Sequence, residues 1–189
     1  MSISSATAPR AQSQSTNLQC LAATMCFVTA IGGALAELVL AWVWFWPSTV
    51  ETLVVPHLGL PIASVSLDGT TRLMGFLASM VPLGVLLYAL HQAYQLFDRY
   101  RLGEVFSPEA PVRLRRIGFC MIALGVLRPL TNTALGLILT AHALPGQRIL
   151  AIAISLDDYM IAAFGGLVLA IGHVMVAAAS MADEHSKII

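Results

Sequence analysis

The sequence predicts an all-α membrane protein with four transmembrane helices, and its composition and pattern both support this fold class. Of the 189 residues, 58% are hydrophobic and only 11% are charged, whereas charged residues make up about a quarter of a soluble domain. The apolar residues are also gathered into four segments, each at or above the roughly 20 residues that a helix needs to cross the hydrocarbon core. These segments run from about residue 18 to 46, 73 to 97, 114 to 143 and 157 to 181.

The segments before and after the four spans are polar. Residues 1–17 are rich in Ser, Thr, Gln and Ala, a composition that does not bury enough apolar surface to offset the entropy of ordering. We therefore predict a flexible tail at 1–17, a four-helix transmembrane domain at 18–182 and a short tail at 183–189.

A secretory signal peptide is the competing interpretation of the first apolar segment. Ala34 and Ala36 have the small-residue pattern of a cleavage site. The apolar stretch nevertheless continues to Trp42, Trp44 and Trp46, whose spacing fits an aromatic belt at a membrane surface. An uncleaved first helix is therefore predicted.

Basic residues are distributed unevenly between the two sides of this four-helix arrangement. Seven fall on the side of both termini and the central connection, Arg72 and Arg148 fall on the other side, and Arg128 lies inside a span. Because cytoplasmic loops carry an excess of Lys and Arg, both termini are predicted to be cytoplasmic, with residues 47–71 and 144–156 outside. The central connection supplies five of the seven: Arg99, Arg101, Arg113, Arg115 and Arg116.

Each outer connection contains a run in which apolar residues alternate with small or polar ones. The runs are residues 61–69 and 149–156, and alternation of this kind is typical of a half-buried strand. Pairing of the two would give a small two-stranded outer sheet. The second run equally fits the start of the fourth helix, since short apolar runs do not separate strand from helix.

Residues that favour helix ends mark the central connection and the fourth helix. Gly103 is predicted to end the second helix, because glycine most easily adopts the left-handed conformation of a helix C-terminus. Ser107 followed by Pro108 predicts the start of the third helix. Asp157 or Asp158 is predicted to cap the fourth.

The central connection also carries a family resemblance. Gly103-Glu-Val-Phe-Ser-Pro-Glu109, followed by Arg113-Leu-Arg-Arg-Ile-Gly118, resembles the bacterial membrane family catalogued as domain of unknown function 2975. The likeness is specific here and extends more weakly to the four-helix layout over most of 18–182. The resemblance implies a small four-helix protein of the bacterial inner membrane with no established activity.

Two ionisable residues, Glu37 and Arg128, lie inside predicted spans. A charged group in lipid costs on the order of 2.5 to 3.5 kcal/mol on insertion scales, so such residues normally face the bundle interior and pair. Both are predicted to point inward, and direct pairing between them is the favoured arrangement. The functional interpretation is a proton or ion relay. A structural ion pair, or binding of Arg128 to carbonyls freed at Pro129, is favoured over it.

The histidines give weaker candidates for a cofactor. His91 and His173 lie at similar depths on helices that run in the same direction, which makes a b-type haem with these two axial ligands a low-ranked alternative. His57 and His142, with Asp157 or Asp158, are poor evidence of a zinc site, because these ligands include no close-spaced pair of the kind that zinc sites use. No metal and no cofactor is predicted.

Small residues at four-residue spacing recur in the first and fourth spans. The patterns are Gly32-xxx-Ala36, Ala162-xxx-Gly166 and Gly166-xxx-Ala170, which allow helices to approach closely in lipid. Packing inside the protein is the default interpretation, and a homo-oligomer or a partner helix is the alternative.

Several classes of function have no support in the sequence. The net charge of +0 argues against nucleic acid, no catalytic motif is present, and three cysteines without CxxC spacing predict free thiols. The leading hypothesis is a non-enzymatic membrane protein that binds or regulates a partner, with the arginine-rich connection facing the cytoplasm. Binding of those arginines to anionic lipid headgroups is at least as well supported. A small oligomeric transporter or channel with Glu37 and Arg128 in its path ranks second, and the haem protein third.

Overall fold

The computed structural model describes residues 8–61, 65–102, 109–141 and 155–186. Within these residues the chain forms four long helices and a short helical segment between the first two. In chain order they are α1 (Ala8–Phe45), α2 (Pro47–Thr49), a π-helical turn (Val50–Val54), α3 (Val55–His57), α4 (Gly69–Arg101), α5 (Ala110–Leu139) and α6 (Leu156–Ser186). Each of the four long helices is long and apolar enough to cross a membrane. The protein is an all-α multi-pass membrane protein.

The four long helices pack in chain order. The extensive contacts among them are those of α1 with α4, of α4 with α5 and of α5 with α6. The two central helices therefore each have a neighbour on both sides, whereas α1 and α6 each pack mainly on one helix. Many large apolar side chains of all four point outward, as expected where lipid surrounds the spans.

Residues 46–61 close one end of the helix row. Trp46 has extended backbone angles (φ −101°, ψ 113°) and is followed by Pro47, because a residue before proline is disfavoured in the helical region. This stops α1 and turns the chain across the helix ends. Two apolar clusters hold the segment in place, one of Trp44, Val50 and Leu135 and the other of Val55, Leu60 and Leu139.

Arg72 in the first turn of α4 fixes the C-terminus of α1. Its Nε donates a hydrogen bond to the carbonyl of Trp44 at 3.1 Å, and its Nη2 donates to the carbonyl of Phe45. The last carbonyls of a helix have no partner within the helix, so the guanidinium supplies one. Arg72 thus ties α1 to α4.

Glycines bring α5 and α6 into direct backbone contact. A Cβ added at Gly118 would lie 2.6 Å from the amide nitrogen of Leu169, and one at Gly165 would lie 2.7 Å from the Cβ of Met121. The interface glycine of α6 is Gly165, whereas Gly166, named in both α6 sequence patterns, has nothing within 4 Å. Of the residues in the predicted α6 patterns, Ala162 therefore faces α5 at Gly125, whereas Gly166 does not take part in this interface.

The observed helix ends differ from the predicted ones. α1 begins at Ala8, inside the predicted flexible tail, and α6 continues to Ser186. Half of the residues from 8 to 17 are Ala, Arg or Gln, which are good helix formers. α4 ends at Arg101 and α5 begins at Ala110 with Glu109 at its N-cap position, so the helices are separate as predicted. The predicted helix-end residues Gly103 and Ser107 lie outside the described residues.

The part of the proposed outer sheet that the structure describes is not a strand. Residues 65–68 have no regular secondary structure, and the Ser66 amide donates to the carbonyl of Leu139 at 3.2 Å. That bond ties the segment to the end of α5 instead of to a partner strand. Residues 149–154, most of the second half of the predicted sheet, lie outside the described residues.

Candidate functional site

Arg128 forms an ion pair with Asp158 across the interface of α5 and α6. The distance from Nη1 to Oδ1 is 3.5 Å, and the Asp158 side chain is 2% exposed while that of Arg128 is 41% exposed. Gly125 lies one turn before Arg128, and a Cβ there would lie 2.7 Å from the carbonyl oxygen of Asp158. The glycine therefore lets the first turn of α6 approach α5 closely enough for the pair to form.

Asp158 also belongs to a capping box at the start of α6. The Ser155 hydroxyl accepts a hydrogen bond from the Asp157 amide at 3.2 Å, and the Asp158 carboxylate accepts one from the Ser155 amide at 3.2 Å. These reciprocal bonds satisfy two amides that the helix leaves free. The N-cap is thus Ser155, and Asp158 contributes from the third helical position instead of the predicted cap position.

A groove of about 420 Å³ lies beside Arg128. Its wall is mainly apolar, with polar groups from Arg128, Asn132, Thr131 and Ser79. All four long helices contribute, and the remaining lining residues are Leu40, Pro82, Leu83, Leu86, Leu124, Leu135 and Ile161. The half-exposed guanidinium therefore has a side open to the groove as well as a side on Asp158.

Glu37 does not join this pair, and the prediction that it points inward is wrong. The residue is exposed on the surface of α1. Gly33 and Trp44, four residues before Glu37 and seven after it, face α4: a Cβ added at Gly33 would lie 3.4 Å from Leu87, and one added at Gly75 would meet the ring of Trp44. The extensive contacts of α1 are with α4, and the carboxylate that pairs with Arg128 is that of Asp158.

Three exposed alanines lie near Glu37 on the surface of α1. The exposed alanines are Ala30, seven positions before Glu37, Ala34, three before it, and Ala41, four after it. Residues at these spacings lie on the same helix face. The carboxylate therefore lies beside a strip of alanines bordered by the exposed side chains of Phe27 and Leu38, eight residues before the end of α1 at Phe45.

At the other end of the protein, Glu109 joins α4 to α5. Its Oε2 accepts hydrogen bonds from Arg113 at 2.9 Å and from Arg99 at 3.0 Å. The hydrogen bond from Arg113, followed by the charge of Arg99, lowers the pKa of the Glu109 carboxyl below its ordinary value. Arg101 pairs with Asp98 at 2.9 Å. We call this end, which carries the five arginines of the central connection, the basic end.

The family of the chain is shown by comparison with known proteins. Residues 50–189 match the family described as "Protein of unknown function (DUF2975)". The chain belongs to the DUF2975 family. The match covers α4, α5 and α6 together with the segment after α1, which confirms the resemblance seen in the central connection. Neither a curated protein nor a solved structure matches this DUF2975 protein.

His91 and His173, the two candidate haem ligands of this DUF2975 protein, lie on outward surfaces. His91 is exposed and its Nε2 lies 2.7 Å from the Gln95 amide nitrogen, while His173 is exposed and its Nδ1 donates to the carbonyl of Leu169 at 2.9 Å. Their helices, α4 and α6, both pack on α5 instead of extensively on each other. Among the described residues, no three His, Cys, Asp or Glu side chains group as a metal site. His142 lies outside the described residues.

Sequence reasoning missed Asp158 as the ion-pair partner of Arg128. It was recognised as a helix-start residue but not as the partner of Arg128. The spacing Ser155-x-x-Asp158 is the signal of a capping box, and it places the carboxylate on the first turn of α6. The cysteines Cys20, Cys26 and Cys120 are free thiols.

Proposed function

We propose that this DUF2975 protein is a non-enzymatic membrane protein that binds a partner's transmembrane helix on the α1 face carrying Glu37. One observation carries the proposal: Glu37 is exposed inside a candidate span. A charged group that faces hydrocarbon has neither water nor a partner. A helix that brings a hydrogen-bond donor or a basic side chain to Glu37 removes that cost.

The neighbouring alanines support helix docking on this face. Ala30, Ala34 and Ala41 are exposed on the side of α1 that carries Glu37. Small residues allow two helix backbones to approach closely, and close approach strengthens van der Waals packing between helices in lipid. The polar contact and the strip of alanines thus favour the same occupant.

Photo-crosslinking in membranes tests this function with a matched control. A photoreactive residue replaces Ala34, on the Glu37 face, or Leu35, which is also exposed but points about 100° away around the helix. We expect a protein adduct from position 34 and lipid adducts alone from position 35. When Glu37→Leu is added to the variant with the photoreactive residue at position 34, the yield of the protein adduct should fall severalfold. Equal protein labelling from both positions, or labelling unaffected by Glu37→Leu, would contradict the proposal.

The adduct mass identifies the partner. A mass of twice the chain means that the partner is a second copy, and any other protein adduct means a different membrane protein.

The proposal also includes the setting: the inner membrane of a bacterium, with the basic end in the cytoplasm. The excess of basic residues at that end supports this orientation.

A small oligomeric transporter or channel is the second candidate. The groove beside Arg128, with its amide and hydroxyl groups, is the observation that favours it. Glu37 is not among the residues that line this groove, which weakens the version with both charged residues in one path. If the groove is the path of a transported solute, Arg128→Gln should abolish flux of that solute across the membrane of reconstituted vesicles. The same substitution should leave helix docking at Glu37 unchanged.

A further inference from the structure

The five arginines of the basic end do not have equivalent surroundings. Glu109 takes hydrogen bonds from Arg99 and Arg113, and Asp98 takes one from Arg101. Among the described residues, no carboxylate forms an ion pair with Arg115 or Arg116. Arg115 and Arg116 thus differ from the other three arginines, whose guanidinium groups are held by Glu109 or Asp98.

Arg115 and Arg116 border a groove formed by α4, α5 and α6. The groove has a volume of about 410 Å³, and its walls include the apolar side chains of Phe119 and Leu169 and the ring of Tyr88. Phe119 is one helical turn further into the α5 span than Arg115, and two thirds of it is exposed. Charge is thus concentrated at the basic end of the groove, and apolar surface extends from there toward the membrane interior.

The position of Arg115 is fixed by packing on α6. A Cβ added at Gly172 would lie 2.7 Å from the Cγ of Arg115, so the aliphatic stem of the arginine lies directly on the α6 backbone. Ordering the stem in advance reduces the side-chain entropy lost when the guanidinium binds an anion. This is a local arrangement that a freely solvated surface arginine lacks.

We propose that this groove is a binding site for one anionic phospholipid. The guanidinium groups of Arg115 and Arg116 bind the phosphate, for which the planar donor pattern of arginine is well suited. One acyl chain lies on Phe119 and Leu169. An inorganic anion would use the arginines alone and would leave the apolar wall uncovered, so the shape of the groove favours a lipid. The site is independent of the α1 face proposed for helix docking.

Native mass spectrometry from a neutral detergent tests the site. Phosphatidylglycerol, phosphatidylcholine or inorganic phosphate is added to the purified protein, and the apparent affinity of the first bound molecule is measured. We expect phosphatidylglycerol to bind more tightly than phosphatidylcholine. Inorganic phosphate should show no detectable binding and should not compete with phosphatidylglycerol. Each arginine removed should weaken phosphatidylglycerol binding about fivefold, as expected for a basic residue at an anionic surface.

The matched variants remove equal charge from the same end. R115Q/R116Q should weaken binding of phosphatidylglycerol roughly 30-fold, whereas R99Q/R101Q should change it less than threefold. If R115Q/R116Q does not fold, R116Q alone decides the question, because Arg116 is exposed. Equal losses in the two double variants would show diffuse attraction to the basic end, and competition by inorganic phosphate would show an anion site. Either result would overturn the proposal.

Discussion

At the scale of single residues, four glycines set how closely α5 and α6 approach. Gly118 and Gly125 on α5 are seven residues apart, as are Gly165 and Gly172 on α6, and a Cβ at any of them would lie 2.6 to 2.7 Å from atoms of the facing helix. A spacing of seven keeps each pair on one face over two helical turns. The close approach also puts Asp158 within reach of Arg128.

The first prediction concerns neighbouring glycines on α6. Gly165→Ala should lower the free energy of unfolding by about 1 to 3 kcal/mol, because the new methyl group overpacks the interface. Gly166→Ala adds the same group where nothing lies within 4 Å, so it should change stability by less than about 1 kcal/mol. Unfolding in mixed detergent micelles measures both. Equal losses in the two variants would contradict the proposed interface register.

At the scale of helices, the start of α6 combines a cap with an ion pair. Asp158 accepts from the Ser155 amide and faces Arg128. The carboxylate is almost fully buried, so its hydrogen bond and its charged partner offset the cost of removing it from water. The same group therefore begins one helix and fastens it to the next.

The second prediction is that Arg128 and Asp158 are energetically coupled. Arg128→Leu should cost about 1 to 3 kcal/mol in unfolding free energy. That is less than the roughly 3 to 5 kcal/mol for a fully buried pair, because the guanidinium is 41% exposed. The double variant with Asp158→Asn should be more stable than Arg128→Leu alone, since it leaves no unpartnered charge and keeps an acceptor for Ser155. Strictly additive losses in the double-mutant cycle would rule out the coupling.

At the scale of the whole molecule, helices pack as a row in chain order, and the protein has two unlike ends. One end carries residues 46–61 packed over the helices, with Arg72 holding the end of α1. The other is the basic end. Because loops rich in Lys and Arg are retained in the cytoplasm, we expect this asymmetry of charge to select one orientation in the membrane.

The third prediction is the direction of insertion. Reporter fusions at Gly69 and at Gly146 should report an extracytoplasmic position, and a fusion at Gly103 in the central connection should report the cytoplasm. The excess of arginines around Gly103 is the reason, since basic loops are retained on the cytoplasmic side. A cytoplasmic signal at Gly69 or Gly146 would show that the orientation is reversed or that one helix does not cross.

Much of the fold was predictable because lipid imposes simple requirements on a chain. Apolar runs of sufficient length must become helices that satisfy their own backbone hydrogen bonds, and these runs are plain in the sequence. The separation of α4 from α5 followed from the polar, arginine-rich residues between them, and the pattern from Gly103 to Gly118 was enough to indicate the family. The exact helix ends were less predictable, as the early start of α1 at Ala8 illustrates.

The sequence by itself determined the four spans, the charged end and the family, whereas the tertiary structure decided which faces of the helices meet. In water, an amphipathic pattern reveals the buried face of a helix, but a helix in lipid is apolar on every side, and small residues and close packing select its neighbours. Sequence alone therefore gave no reason to place Glu37 outside, Gly165 instead of Gly166 inside, or Asp158 beside Arg128. Those positions follow from the rotation of each helix about its axis and from the packing of α1 on α4 and of α6 on α5.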